Sequence, residues 1–270
     1  MIDLLDTTII IPVKIEHIDR YRNAKTVLGF LNNNLKTNVF IFESSNDGHS
    51  KLDFLDDLKN LRIKKWIISS EDEFHRTKYL NIMLDEVETK VVVNYDIDVI
   101  LHPQNFLECQ NSIITGESDV IYPYRKGDGQ IQIMPNFDLW SFISSGYDMN
   151  HLSPSETCRI ALSECGHCIF FNTDIYRKNG AENENFISYG PEDKERMHRF
   201  QKLNYKVNWS NNFYVYHFEH YRGSDSSYEN PRFYQNWEEF KKIKGMSEDD
   251  LREYYSNIHY SVKYNNIKFV

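Results

Sequence analysis

Apolar and polar positions alternate between two rhythms along the first 125 residues. Thr7 to Val13 is an almost unbroken apolar run closed by Pro12, the pattern of a strand buried on both faces. From about Ile18 to Asn33 the spacing becomes helical. Asn38 to Glu43 and Lys65 to Ser69 read as a second and third strand, with a short helix near Asp53 to Lys59 between them. Within Thr77 to Glu88, Leu80, Met83, Leu84 and Val87 fall at i, i+3, i+4 and i+7, one face of a helix. Val91 to Tyr95 is then a central strand. Strands joined by helical connections predict an α/β fold with a mostly parallel central sheet flanked by helices, whose ligands gather at the carboxyl ends of the strands.

The second half is less regular. Pro103 to Thr115 reads as a helix and Asp119 to Tyr122 as a strand. Arg125 to Ser155 is polar and broken by Gly127, Gly129, Pro135, Gly146 and Pro154, so it reads as long connections suited to a substrate wall. Cys168 to Phe171 is a short strand, followed by a helix capped at Asn172 or Thr173 and stopped at Gly180. Pro191, suited to a first helical position, opens a helix to about Leu203. Two helices follow Pro231, the second capped at Ser247. No repeat or low-complexity linker interrupts the chain; the expectation is one domain over residues 1–223 and a helical extension, 224–270, packed on it.

Charge narrows the choice of partners. The 270 residues carry 40 acidic and 31 basic side chains, a net charge of −9. Phosphate backbones are held by clustered Lys and Arg, so a nucleic-acid partner is excluded. Cys109, Cys158, Cys165 and Cys168 are too few and too unevenly spaced for a disulfide framework. No apolar run approaches the roughly 18–20 residues that cross a bilayer, and Met1 to Asp6 carries acids where a secretory leader carries Lys or Arg. These features predict a cytoplasmic protein with reduced thiols and no transmembrane segment, peripheral membrane association remaining open.

Chemistry concentrates at the end of the Val91 to Tyr95 strand, where Asp96 and Asp98 are separated by one residue. In an extended backbone both point to one face, and two adjacent like charges invite a divalent cation or hydrogen-bond donors between them. A solvated strand end would also carry such acids, so the pair alone is a weak signal. The first strand runs into Pro12-Val13-Lys14-Ile15-Glu16 without glycine, which excludes the Gly-x-Gly-x-x-Gly dinucleotide turn, and no Gly-x-x-x-x-Gly-Lys loop is present. A nucleotide diphosphate bound here must be neutralised by metal and basic side chains. Glu192 and Asp193 sit in the first turn of a helix, where the dipole favours acids with or without a catalytic duty. His217 and His220 would face opposite ways on a plain strand, so joint ligation requires a turn between them.

A wider pattern joins these points. Phe74-His75-Arg76-Thr77-Lys78-Tyr79-Leu80-Asn81, followed by Asn94-Tyr95-Asp96-Ile97-Asp98, resembles the Phe-Asn-Arg-Ala-Lys-Leu-Leu-Asn helix and Asp-Val-Asp strand end of the β-1,4-galactosyltransferase family. Gly166 with the strand after it, then Tyr189-Gly190-Pro191-Glu192-Asp193, resembles that family's Gly-Gly-Val strand and Trp-Gly-Gly-Glu-Asp acceptor motif. The resemblance extends from Ile9 to about Gly223. It implies a GT-A fold and a metal-dependent enzyme that moves a hexose or N-acetylhexosamine, galactose-type favoured, from a UDP-sugar to a glycan or glycoconjugate hydroxyl with inversion. By the same resemblance, Asp98 and His220 are metal ligands for Mn²⁺ or Mg²⁺, and His217 stands where the family has a ligating Met. Asp96 meets the ribose or donor sugar, Arg76 faces the diphosphate, and Tyr189 lies in the nucleotide-sugar site. Glu43, at the end of the second strand, is placed more loosely near the uridine. Asp193 becomes the general base and Glu192 orients the acceptor. A retaining transferase and a catalytically silent sugar-binding module remain rival readings. Cys165-Gly166-His167-Cys168 has the spacing of a thiol–disulfide exchange site, but the strand pattern that follows lacks the helix such a site uses to lower its thiol pKa.

Overall fold

The computed structural model describes residues 1–69, 73–223 and 226–257, and the backbone of a strand at 267–269. The chain opens with β1 (Ile2–Lys14), α1 (Ile18–Asn34), β2 (Leu35–Ser45), β3 (Leu61–Ser69), α2 (Arg76–Asp85) and β4 (Val91–Tyr95). It continues through β5 (Val99–Leu101), α3 (Pro103–Ile114), β6 (Val120–Tyr122), β7 (Gly127–Ile133), α4 (Leu139–Ser144), β8 (Cys158–Ser163), β9 (Cys168–Asn172) and α5 (Thr173–Lys178). Last come α6 (Glu192–Lys202), β10 (Val207–Trp209), β11 (Val215–Phe218), α7 (Phe233–Gly245), α8 (Glu248–Asn257) and β12 (Ile267–Phe269).

Among the described residues, eight strands form one sheet in the order β10-β6-β9-β4-β1-β2-β3-β12. From β3 through β4 it is parallel, and β10 is parallel to β6, whereas β9 runs antiparallel to both β4 and β6 and β12 antiparallel to β3. Ile9, Ile10, Ile11, Val91, Val92 and Val93 have no exposed surface, as the unbroken apolar runs require of strands covered on both faces. Helix α1 lays Ala24, Val27, Leu28 and Leu31 on the sheet at helical spacing.

Two expectations need correction. The Arg125 to Ser155 stretch is not only connections: β7, α4 and a 3-10 turn at Met149–Leu152 lie within it. Strand β7 does alternate, Ile131 and Ile133 inward against Gln130 and Gln132, but its second face is polar because it looks into a site and not into a core. The short helix near Asp53 to Lys59 is a single 3-10 turn, Leu55–Asp57. Strands β5, β11, β7 and β8 form a second sheet, absent from the sequence reading because β5 and β11 have only three and four residues, while β7, polar and glycine-broken, and β8 carry a weak apolar signal.

The C-terminal helices build a small core of their own. Phe186 and Leu203 meet Phe240, Ile243, Leu251 and Tyr255 there. Asn236 is buried on α7 and donates to the carbonyls of Ile187 (2.8 Å) and Tyr189 (2.9 Å). A Cβ on Gly190 would approach the Asn236 Cβ to 2.7 Å, so this backbone passes α7 only as glycine. Helix α7 thereby holds the loop that leads into α6. Ser247 caps α8, accepting from the Asp250 amide at 3.1 Å.

Candidate active site

A cavity of about 260 Å³ opens where the carboxyl ends of β1 and β4 meet the start of α6. Arg76, Asp96, Asp98, Tyr189, Glu192, Asp193, His217 and His220 all line it. Glu43 does not. Its carboxylate is fully buried and engaged by Lys65 at 2.9 Å, the Ser50 hydroxyl at 2.8 Å and the Lys51 amide at 2.7 Å, so it anchors the 50–51 backbone beside β2.

At the mouth of β4 three potential ligands converge. Asp98, His217 and His220 are buried, with ligand atoms within 4.8 Å of one another. The turn that brings both imidazoles together follows from β11 ending at Phe218, whose amide donates to the Asp98 carbonyl at 2.8 Å. From α1, Asn23 donates to the Phe218 carbonyl (3.2 Å) and Arg22 to that of Glu219 (3.1 Å), fixing the chain past the strand. Both rings are oriented from behind. His220 Nδ1 lies 2.7 Å from the Tyr221 carbonyl, which can only accept, and His217 Nδ1 lies 2.9 Å from Gln132 Oε1. Gln132 is itself oriented by donating to Glu219 at 2.6 Å. The His217 proton therefore sits on Nδ1, and each Nε2 faces Asp98, at 3.2 Å from His220 and 3.7 Å from His217.

Burial pushes His217 down to about 3 despite the pull of Asp98, so its Nε2 carries a lone pair. Burial opposes the Asp98 charge, but His220, His217 and Arg20 together hold that carboxyl far below the usual range. A lone pair facing a carboxylate is an acceptor facing an acceptor, an arrangement that a cation satisfies. The mixed imidazole and carboxylate set fits Mn²⁺ or a similar borderline ion better than Mg²⁺, which prefers oxygen. Arg20 already sits 3.1 Å from Asp98 Oδ2.

Across the cavity, Arg76 donates to Asp96 at 2.8 Å and lies 3.9 Å from Asp193. Its other terminal nitrogen, Nη1, is buried without a hydrogen-bond acceptor, a vacancy an anionic ligand oxygen would fill. Burial would raise Asp193, yet Arg196, 2.8 Å away, and Arg76 outweigh it and keep the carboxyl below its ordinary value. Its neighbour behaves oppositely. Burial, then the charge of Asp193, lift Glu192 to about 8 against the pull of Arg76, so Glu192 holds a proton at neutral pH.

Arg196 is buried and clamped by Glu182 at 2.6 and 2.8 Å; Glu182 in turn takes hydrogen bonds from Asn94 and Tyr176. This chain ties the base of α6 to β4. Gly166, at φ +99°, turns between β8 and β9 with a Cβ position only 2.9 Å from Asp193 Oδ2, so a side chain there would displace the carboxylate. The Cys165–Cys168 segment is this turn, not a helix start. Burial pushes Cys165 up to about 12 and holds Cys168 well above its ordinary value, the reverse of a reactive thiol.

Sequence reasoning missed Arg20, Gln132, Glu182 and Arg196. Arg196 carried a usable signal, an Arg three residues after an acid in a helical first turn. The others come from distant segments and have none.

The α/β fold, with its cavity at the carboxyl ends of β1 and β4, is of the GT-A type. The chain is similar in structure to residues 1–349 of TarS from S. aureus in complex with UDP-GlcNAc, with TM-score 0.58 and 14% identity over 91% of this chain and 69% of that one. A second structure of the same TarS fragment gives TM-score 0.54 at 14% identity, over 91% and 68%. At this identity the likeness establishes the fold. No family model matches the sequence, and no curated protein sequence matches it. No helix among the described residues is long and apolar enough to cross a membrane.

Proposed function

We propose that the protein is a metal-dependent, inverting glycosyltransferase. It moves a hexose or N-acetylhexosamine, galactose-type favoured, from a UDP-sugar to a hydroxyl of a glycan or glycoconjugate. The observation that carries this reading is one cavity of a GT-A fold. It joins the Asp98–His217–His220 trio, an Arg76 nitrogen without an acceptor, and the ionised Asp193. The UDP-GlcNAc in the TarS complex supports a UDP-sugar as donor.

In this reading Asp98, His217 and His220 hold a Mn²⁺ or Mg²⁺ ion. When bound, the ion supplies positive charge that stabilises the departing diphosphate. Arg76 meets a diphosphate oxygen through its free nitrogen, and Asp96 contacts the ribose or donor sugar. Tyr189, stacked on Phe233 at 5.9 Å, forms a wall against the sugar. Glu43 shapes the uridine side through the backbone it anchors. Asp193 accepts the proton of the acceptor hydroxyl as that oxygen bonds to the anomeric carbon. The bond from that carbon to the UDP oxygen breaks, its electron pair leaving with UDP. Because Arg196 and Arg76 lower its basicity, Asp193 takes the proton late, once bond formation has acidified the hydroxyl. Glu192, protonated, donates a hydrogen bond to the acceptor. The helices after residue 224 belong to this machinery as the support of the Tyr189–Pro191 loop.

The test is UDP release from UDP-galactose and UDP-GlcNAc with Mn²⁺ and a panel of glycan acceptors, with the product anomer read by NMR. Metal-dependent turnover to the inverted anomer is expected. Donor binding without turnover would establish a silent sugar-binding module, and retained configuration a different mechanism.

A further inference from the structure

Behind the Cys165–His167 turn lies a second cavity, of about 650 Å³, which shares Cys165 and His167 with the first. Its size is that of a ligand pocket. One wall is α6, through Lys194, Met197 and His198; the other is α7, through Trp237, Phe240 and Lys244. Asp193 lines the first cavity and Lys194, the next residue of α6, lines the second. A molecule lying in the second cavity borders the turn that packs against the Asp193 carboxylate.

The lining has a definite chemistry. Trp237 is half-buried, and Lys194 Nζ lies 5.2 Å from its ring centroid. An indole face is a platform for the C–H face of a sugar ring. Lys194 and Lys244 are exposed and, among the described residues, neither pairs with a carboxylate. Burial, then Lys202 and Lys244, lower the pKa of His198, whose buried Nε2 has no hydrogen-bond partner. Glu164 contributes one acid at the edge, leaving the two lysines in excess. In a chain of net charge −9, two unpaired lysines beside an aromatic platform make a local anion site that an acidic surface would otherwise repel.

We propose that this cavity is the acceptor subsite and selects an acidic saccharide, whose sugar unit beyond the glycosylated one carries a carboxylate or phosphate. The proposal rests on the transferase reading and adds to it the class of acceptor. Trp237 stacks the sugar, and Lys194 and Lys244 meet its charge.

The experiment compares matched probes by calorimetry with UDP and Mn²⁺ present: a glucuronate-containing disaccharide, a phosphorylated disaccharide, and the neutral disaccharide of the same linkage. The acidic probes should bind about tenfold more tightly at low salt, as expected for two solvent-facing ion pairs, and the preference should shrink as salt rises. Whichever acidic probe leads identifies the anionic group. Lys194→Gln combined with Lys244→Gln should abolish the preference while leaving UDP affinity intact, and Trp237→Ala should weaken acidic and neutral probes alike. Equal binding of acidic and neutral probes by a parent protein that binds UDP would overturn the acidic subsite alone, as would a preference surviving the double lysine variant. A parent that binds no UDP would overturn the transferase reading and this acceptor role with it.

Discussion

Replacing Asp193 by Asn separates catalytic duty from structural duty at the position on which the mechanism depends. The side chain keeps its shape and one acceptor oxygen but loses its charge. Arg196, 2.8 Å away, is not orphaned, because Glu182 still holds it at 2.6 and 2.8 Å. The structural loss is thus the difference between a charge-assisted and a neutral hydrogen bond, about 1 to 1.5 kcal/mol. In a chain of this length that lowers Tm by about 2 to 6 °C. A helix-start acid without the arginine would contribute less, about 0.3 to 1 kcal/mol. Loss of the base should reduce kcat by about 10² to 10⁴, or roughly 3 to 5 kcal/mol of barrier. UDP release at saturating donor and acceptor measures the first quantity, thermal melting the second, and calorimetric UDP titration checks that the donor site is intact. Expected are slow turnover, a small drop in Tm and retained UDP affinity. Near-normal kcat with the same fall in Tm would refute the reasoning and reduce Asp193 to an arginine partner.

Other predictions use the same site. Asp98→Asn keeps the volume but removes the charge on which both Nε2 atoms converge; Mn²⁺ should then no longer raise Tm or strengthen UDP binding, and an unchanged Mn²⁺ response would exclude Asp98 as a ligand. Glu192 has a folded pKa of about 8 against an ordinary value near 4.5, so the folded state binds the extra proton between those values. Its stabilising contribution is complete below about pH 4.5 and fades as pH rises through 8. Glu192→Gln should therefore gain stability relative to the parent at pH 8.5 and differ little at pH 5; a pH-independent difference in Tm would contradict the shift. Gly166→Ala adds a Cβ at φ +99° within 2.9 Å of Asp193 Oδ2, and should lower both stability, by roughly 1 kcal/mol or more, and turnover. Wild-type kcat in that variant would show that Asp193 does not need its present position.

The long elements were legible because each is a periodic pattern that buries its own face. The Val91–Tyr95 strand, the Leu80–Val87 helical stripe and the Pro191 helix start follow from local rules, and so does the placement of Asp96 and Asp98 at a strand end. The resemblance over residues 74–98, 189–193 and 217–220 singled out eight residues that the structure brings into one cavity. Glu43 is the ninth, and it lies outside because its charge is spent on Lys65, a residue 22 positions away in an adjacent strand. Tertiary structure alone decided the rest. Whether His217 and His220 share a target depends on α1 capping the carbonyls after β11, a contact across nearly 200 residues. The second sheet is assembled from two very short strands, β5 and β11, and two, β7 and β8, whose apolar pattern is weak. The opposite ionisation of Glu192 and Asp193 arises because burial and the Asp193 charge prevail at Glu192, whereas Arg196, held by Glu182, hydrogen-bonds Asp193 directly. A chain specifies periodicity residue by residue, but the ionisation of a buried acid is set by whichever charges the fold carries to within a few ångströms of it.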